Sequence, residues 1–318
     1  MITVSHKNKQ YLLLALKVLI LAYTFSFIYL KVTGNETFDL NKFTLDIFNG
    51  DNSTILSFTF FVFLAAANWF FEILKWKVII SEIQSLSFLV AMKQSLFSLT
   101  VSLSTPNRIG EYGAKAYFFK PDKRKNILLL TFFSNSIQMG VTTFFGILGF
   151  IIVLQKYKVP FSTKNLILGL LVVALLVILG FIFKRQQLVL KNLSILKVVS
   201  KFKKLPFHIK FKTVVFSICR YLIFSFLFYS LLQFFGADIS LSQSIPLIFS
   251  MYLMVSIIPT IFIFDVVIRG GAALWMFSLA GVSEITILST VLTMWVLNFV
   301  IPALFGSYFL FSYKPDVS

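Results

Sequence analysis

Arg108, Glu111 and Lys115 stand three and four positions apart in "STPNRIGEYGAKAYF", residues 104–118. On a helix that spacing places all three on one face, and the acid-first order of Glu111 and Lys115 is the favourable one for an ion pair. Two bases around one carboxylate can pair internally or exchange partners with a phosphate oxygen. A related group lies in "IIPTIFIFDVVIRGGAALWMF", residues 257–277, where Asp265 and Arg269 form an acid-first pair four apart. Each group has a proline ahead of it, Pro106 and Pro259, and glycines beside it, Gly110 and Gly113 in the first, Gly270 and Gly271 in the second. Thr105 can cap a helix whose first residue is Pro106, where the missing N–H does no harm. The glycines offer a close-packing surface.

What surrounds these charges makes them unusual. The chain has 318 residues, of which 58% are hydrophobic and 13% charged, with 40 phenylalanines. Several apolar runs exceed the roughly 20 helical residues needed to cross a hydrocarbon core of about 30 Å, and lipid leaves backbone groups to be satisfied within helices. The expected fold is therefore all-α and polytopic in a membrane. The net charge of +17 would suit nucleic acid in a soluble protein, but the basic residues fall in short segments between apolar runs, which is the pattern of membrane topology. No nucleic-acid partner is expected. Cys219 is the single cysteine, and His6 and His208 lie apart in basic segments, so no disulfide framework, metal cluster or cofactor is expected.

Full spans are predicted at about 11–30, 54–78, 127–154, 165–183, 213–235 and 285–311. The first apolar run resembles a signal peptide but is too long for one and is read as an uncleaved span. Two further stretches, 86–118 and 244–281, are interrupted by the charges and glycines above. Basic residues decide how the first is placed. Segment 106–126 carries six of them and 184–212 carries nine. If 86–118 is a re-entrant hairpin, both segments face the cytoplasm, in keeping with the positive-inside tendency. The termini are then cytoplasmic, and the expected location is the bacterial inner membrane.

Residues 54–154 and 213–311 each read as span, broken hairpin, span, offset by roughly 155 to 160 positions and of opposite orientation, the pattern of an inverted repeat with a site between broken helices. The linker 184–212 places Val189, Leu193, Leu196 and Val199 at helical spacing among lysines. It reads either as a helix on the inner leaflet or as a solvated basic loop.

Other polar residues fall within apolar runs: Asn68, Glu72, Asn135, Gln138 and Arg220. At such depths they are site candidates by default. Glu72 is close to Lys75 and Lys77 and has the alternative of snorkelling, and the amides that of interhelical hydrogen bonding. The charges of both hairpins likewise have a second reading, as surface charges near the headgroups. No GxxxxGKS/T phosphate loop and no GxSxG elbow occurs, so neither ATP hydrolysis nor esterase-like chemistry is expected.

"ILKWKVII" (73–80), "STPNRIGEYGAKAYF" (104–118) and "FFSNSIQMGVTTFFGILGF" together resemble the lysylphosphatidylglycerol synthase/flippase transmembrane family, over essentially the whole chain. The most specific part is Pro106 through Glu111. Asn107 stands where the family has glycine, and the second motif shows Asp265 and Arg269-Gly270-Gly271 rather than a Glu-containing pattern. The resemblance implies a flippase-like membrane protein without the soluble aminoacyl-transferase domain of some relatives, and so no synthase activity. The function expected is movement of an anionic phospholipid or lipid-linked headgroup between leaflets, downhill or ion-coupled. Arg108, Lys115 and Arg269 would bind phosphate, and Glu111 and Asp265 would hold those bases or exchange protons. The competing classes are a membrane enzyme acting on lipid-linked substrates and an assembly scaffold.

Overall fold

A computed structural model describes residues 52–103, 105, 108–157, 195–257 and 262–312. The predicted spans 11–30 and 165–183, and the breakpoint prolines Pro106 and Pro259, lie outside the described residues. Every described element is helical: α1 (Asn52–Ile80), α2 (Phe88–Leu103), α3 (Gly110–Tyr117), α4 (Pro121–Lys156), α5 (Ile195–Lys204), α6 (Phe207–Phe234), α7 (Leu241–Ile257), α8 (Phe262–Ser278), α9 (Glu284–Trp295) and α10 (Ile301–Ser312). A π-helical segment, Val296–Val300, joins α9 to α10.

Among the described residues four helices are long and apolar enough to cross a membrane: Thr54–Ile80, Pro121–Lys156, Phe207–Phe234 and Glu284–Leu310. At 1.5 Å per residue, a helix of about 28 residues is roughly 42 Å long, more than the hydrocarbon core requires. The apolar stretches of α1 and α4 are each only 22% buried by the rest of the protein, against 61% for the last of the four. An apolar helix that its own protein leaves uncovered must face another apolar medium, and Ile55, Leu56, Phe63, Phe144 and Phe305 all point outward. The protein is a polytopic membrane protein, with lipid as the outer solvent. By contrast α2 and α7, with 16 and 17 residues, reach only about 25 Å, short of a full crossing.

The helices pack in a recurring scheme. α1 lies along α6; α4 lies along α7, and α10 along α2; α2 contacts α3 and α7 contacts α8; α3 leans on α4 and α8 on α9. Glycine makes the two long crossings possible. A Cβ on Gly149 of α4 would come within 2.7 Å of the Pro246 carbonyl oxygen in α7, and one on Gly306 of α10 would overlap the Leu96 carbonyl in α2. The main core gathers Leu227, Leu231, Leu247, Ile248, Ala273, Phe277 and Ile287, and a second core collects around Trp76, Ile79, Ile80, Ile127 and Leu130.

Three expectations are corrected here. First, α3 begins at Gly110, not at Pro106. Thr105 does accept a hydrogen bond through its hydroxyl from a helix-start amide, but that amide is Gly110 N at 2.8 Å, five residues on. Second, the close-packing role falls on Gly110 alone of the four glycines. A Cβ there would meet the Thr105 side chain and the Val101 carbonyl within 2.9 Å, whereas Gly113 and Gly271 have nothing within 4 Å and Gly270 has only an ordinary contact with Leu288. Third, α6 starts at Phe207, inside the segment read as linker. The remaining described part of that segment is α5, which docks on α4: Phe202 stacks on Phe132 and Phe133, and Lys201 donates to Asn126. Partial burial lowers the Lys201 pKa, against the opposing pull of Glu82.

Candidate functional site

Helices α1, α2, α3, α4, α6, α7, α8 and the π segment enclose a cavity of about 700 Å³. Seven charged side chains line it: Arg108, Glu111, Lys115, Asp265 and Arg269 from the two broken hairpins, and Glu72 and Arg220 from the long helices. Asn68, Asn135 and Gln138 line it as well. Residues separated by most of the chain thus converge on one space inside an otherwise apolar bundle.

The local pairs have the geometry that helical spacing dictates. Lys115 Nζ lies 2.7 Å from Glu111 Oε1, and Arg269 Nε lies 2.8 Å from Asp265 Oδ2. Lys115 is 1% exposed, and its ammonium also sits 4.4 Å from the centre of the Trp76 ring. Trp76 in turn donates its indole N–H to Gln94 Oε1 at 2.9 Å. An ammonium buried this far needs both the carboxylate and the ring face to replace its water.

Glu72 is corrected from a snorkelling candidate to the centre of a buried cluster. Its Oε2 lies 2.7 Å from Lys75 Nζ and 2.7 Å from Arg220 Nη1. The side chain points into the bundle because α6 packs along α1 and brings Arg220 to it. Lys75 also donates to Gln138 Oε1 at 3.3 Å, and Gln138 donates to the Ser217 carbonyl at 3.4 Å. Arg220 Nε donates to Asn68 Oδ1, Asn68 donates to Asn298 Oδ1 at 2.9 Å, and Trp69 donates to the Asn298 carbonyl at 3.1 Å. Asn135 reaches both Glu111 and Tyr112 at 3.4 Å.

The expected triad on one face of a helix does not form. Arg108 precedes α3 and has φ of 55°, the left-handed region that only a minority of non-glycine residues enter. Its guanidinium makes no ion pair with Glu111 and lies 4.6 Å from the centre of the Phe299 ring. Arg269 approaches the same ring at 5.5 Å. Among the described residues Arg108 makes no ion pair, whereas each of the three lining carboxylates is matched by at least one cation. No group of three or more histidine, cysteine, aspartate or glutamate side chains suited to a metal occurs among the described residues.

Sequence reasoning missed Lys75, Trp76, Tyr252, Asn298 and Phe299. Lys75 had a signal, its position three residues after Glu72. Phe299 had none, being one of 40 phenylalanines.

The sequence profile described as "Lysylphosphatidylglycerol synthase TM region" matches residues 13–306. No curated protein and no solved structure matches the chain.

Proposed function

The chain belongs to the family of lysylphosphatidylglycerol synthase transmembrane regions, and from that premise we propose that it is a flippase-like lipid transporter, moving an anionic phospholipid or lipid-linked headgroup between the leaflets of a bacterial inner membrane. The observation that carries this reading is the cavity itself, with seven charges drawn from four helices and the Arg108 turn inside a lipid-facing apolar shell. A structural role alone would call for matched pairs. An unmatched guanidinium beside an aqueous space is suited to a phosphate oxygen.

The packing scheme supports the reading of two inverted repeats, α1–α4 and α6–α10. Under that pairing α4·α7 and α10·α2 are equivalent contacts, and Gly149 and Gly306 occupy equivalent crossings. The cavity then lies between the two broken hairpins, where rocking of one repeat against the other would expose it to either side. Binding of a phosphate at Arg108 and Arg269 would weaken the hold of Arg269 on Asp265 and bias that motion. The chain acts as a transporter and not as an enzyme in this reading, and its movement of lipid is downhill or ion-coupled.

The test is a headgroup-accessibility assay on proteoliposomes carrying a fluorescent anionic lipid. The wild-type protein is expected to equilibrate the lipid between leaflets, and Arg108→Ala and Glu111→Gln are each expected to slow it by about tenfold or more, the equivalent of one lost charge-assisted contact. Wild-type vesicles that keep the lipid on one side would overturn the proposal. Topology has its own check on a Cys219→Ser background. A cysteine at Asp122 is expected to react only from the cytoplasmic side and one at Asp238 only from the opposite side. Labelling at position 122 only from outside would remove the hairpin arrangement.

A further inference from the structure

The charges of the cavity are not balanced, and the imbalance has a location. Glu72 stands between two cations, Lys75 and Arg220, each 2.7 Å from the same oxygen. Glu111 and Asp265 each hold one cation, Lys115 and Arg269. Arg108 is additional to all of these. Among the described residues five cations, counting Lys75, which pairs with Glu72 but does not line the cavity, stand with three carboxylates, so two positive charges are in excess, one in the Glu72 cluster and one at Arg108.

Neither surplus is neutralised by other means. A ring face holds Arg108 in position but leaves the N–H donors at the guanidinium edge free. Phe299 so acts as a rest for the side chain and not as a counterion. Tyr221 and Tyr252 also line the cavity, and their buried hydroxyls make no hydrogen bond among the described residues. They are donors kept in reserve beside an excess of positive charge.

Building on the lipid-transport reading, we propose that the cavity is specific for a dianionic phosphate headgroup, a diphosphate or a phosphomonoester, with one negative charge met by Arg108 and the other by Arg220. A monoanionic phosphodiester would leave one of the two guanidiniums unmatched in a largely apolar enclosure. A dianion matches both, and the Tyr221 and Tyr252 hydroxyls complete its oxygen shell. The same chemistry is offered by a lipid headgroup and by a free diphosphate ion.

The experiment compares three probes in proteoliposomes of phosphatidylcholine: a fluorescent isoprenyl diphosphate, a fluorescent phosphatidylglycerol, and radiolabelled inorganic diphosphate. The isoprenyl diphosphate is expected to cross about tenfold faster than phosphatidylglycerol, as one additional matched charge implies. Arg108→Gln and Arg220→Gln are each expected to slow the isoprenyl diphosphate about tenfold more than they slow phosphatidylglycerol, so that most of that preference is erased. Arg108 leaves no partner unpaired when removed, and Glu72 keeps Lys75 when Arg220 is replaced, so both variants have a reason to fold. Equal or faster movement of phosphatidylglycerol would overturn the dianion proposal and leave the transport reading standing. Movement of inorganic diphosphate without either lipid would keep the dianion site and overturn the lipid. Movement of none of the three would overturn both.

Discussion

Replacing Glu72 by leucine is expected to lower the stability of the protein by about 3–5 kcal/mol, the cost of leaving buried charges without their partner. Glu72 is 6% exposed and Lys75 1% exposed, so water reaches neither well enough to compensate. The carboxylate also carries the register of α1 against α6, since Arg220 reaches Asn68 and Glu72 from the facing helix. The measurement is the thermal midpoint of detergent-solubilised protein, expected to fall by several degrees or more, with loss of monodisperse protein as the extreme case. A triple change, Glu72→Leu with Lys75→Met and Arg220→Met, separates the possible causes. Removing a whole ion cluster in favour of apolar groups is often neutral or stabilising, so the triple variant is expected to recover most of the loss. If it is as unstable as Glu72→Leu alone, the charges were not the source of the effect, and packing at the α1–α6 contact was. The same triple variant is expected to move the isoprenyl diphosphate no faster than phosphatidylglycerol, because the site loses one of its two surplus positive charges.

The second large effect is expected at Gly306. A valine there would drive its side chain into the Leu96 carbonyl and the Thr100 hydroxyl of α2, and Thr100 spends that hydroxyl on the Ala303 carbonyl at 3.0 Å. Backbone cannot move aside as a side-chain tip can, so α10 must shift away from α2. Overpacking of this kind costs about 1–3 kcal/mol and occasionally more, and here it would also carry Asn298 and Phe299, which lie about two turns back in the π segment that leads into α10, out of the cavity. Gly306→Val is therefore expected to lose both stability and lipid movement, read as thermal midpoint and proteoliposome rate. Gly113→Ala is the control. It meets nothing within 4 Å, and replacing a helical glycine by alanine is expected to stabilise by up to about 1 kcal/mol. A Gly306→Val protein as stable as wild type would mean that α2 and α10 are not held by this contact.

Much of the site was legible because much of it is local. Glu111 with Lys115 and Asp265 with Arg269 are four apart, and a helix brings such residues together whatever surrounds it. Glu72, Asn135, Gln138 and Arg220 were legible one by one, since a polar group in an apolar run must have a partner or water. What those partners were was not legible. Arg108 shows where local reasoning ends: its spacing from Glu111 fits a helical pair, but the helix begins two residues later and the turn before it sends the side chain to Phe299.

The sequence by itself determined that this is an all-helical protein of the membrane, which helices are apolar enough to cross and which are too short, and the two acid-first ion pairs. Each follows from composition or from the 3.6-residue turn, which act within one segment. Only the tertiary structure decided that Arg220 reaches Glu72, that Asn68 reaches Asn298, and that one phenylalanine supports guanidiniums from both broken hairpins. Those contacts depend on the register at which α1 meets α6 and α10 meets α2. Between α10 and α2 that register rests on the close approach at Gly306, and between α1 and α6 on the Glu72–Arg220 and Asn68–Arg220 contacts, each a property of two surfaces together that neither segment carries alone.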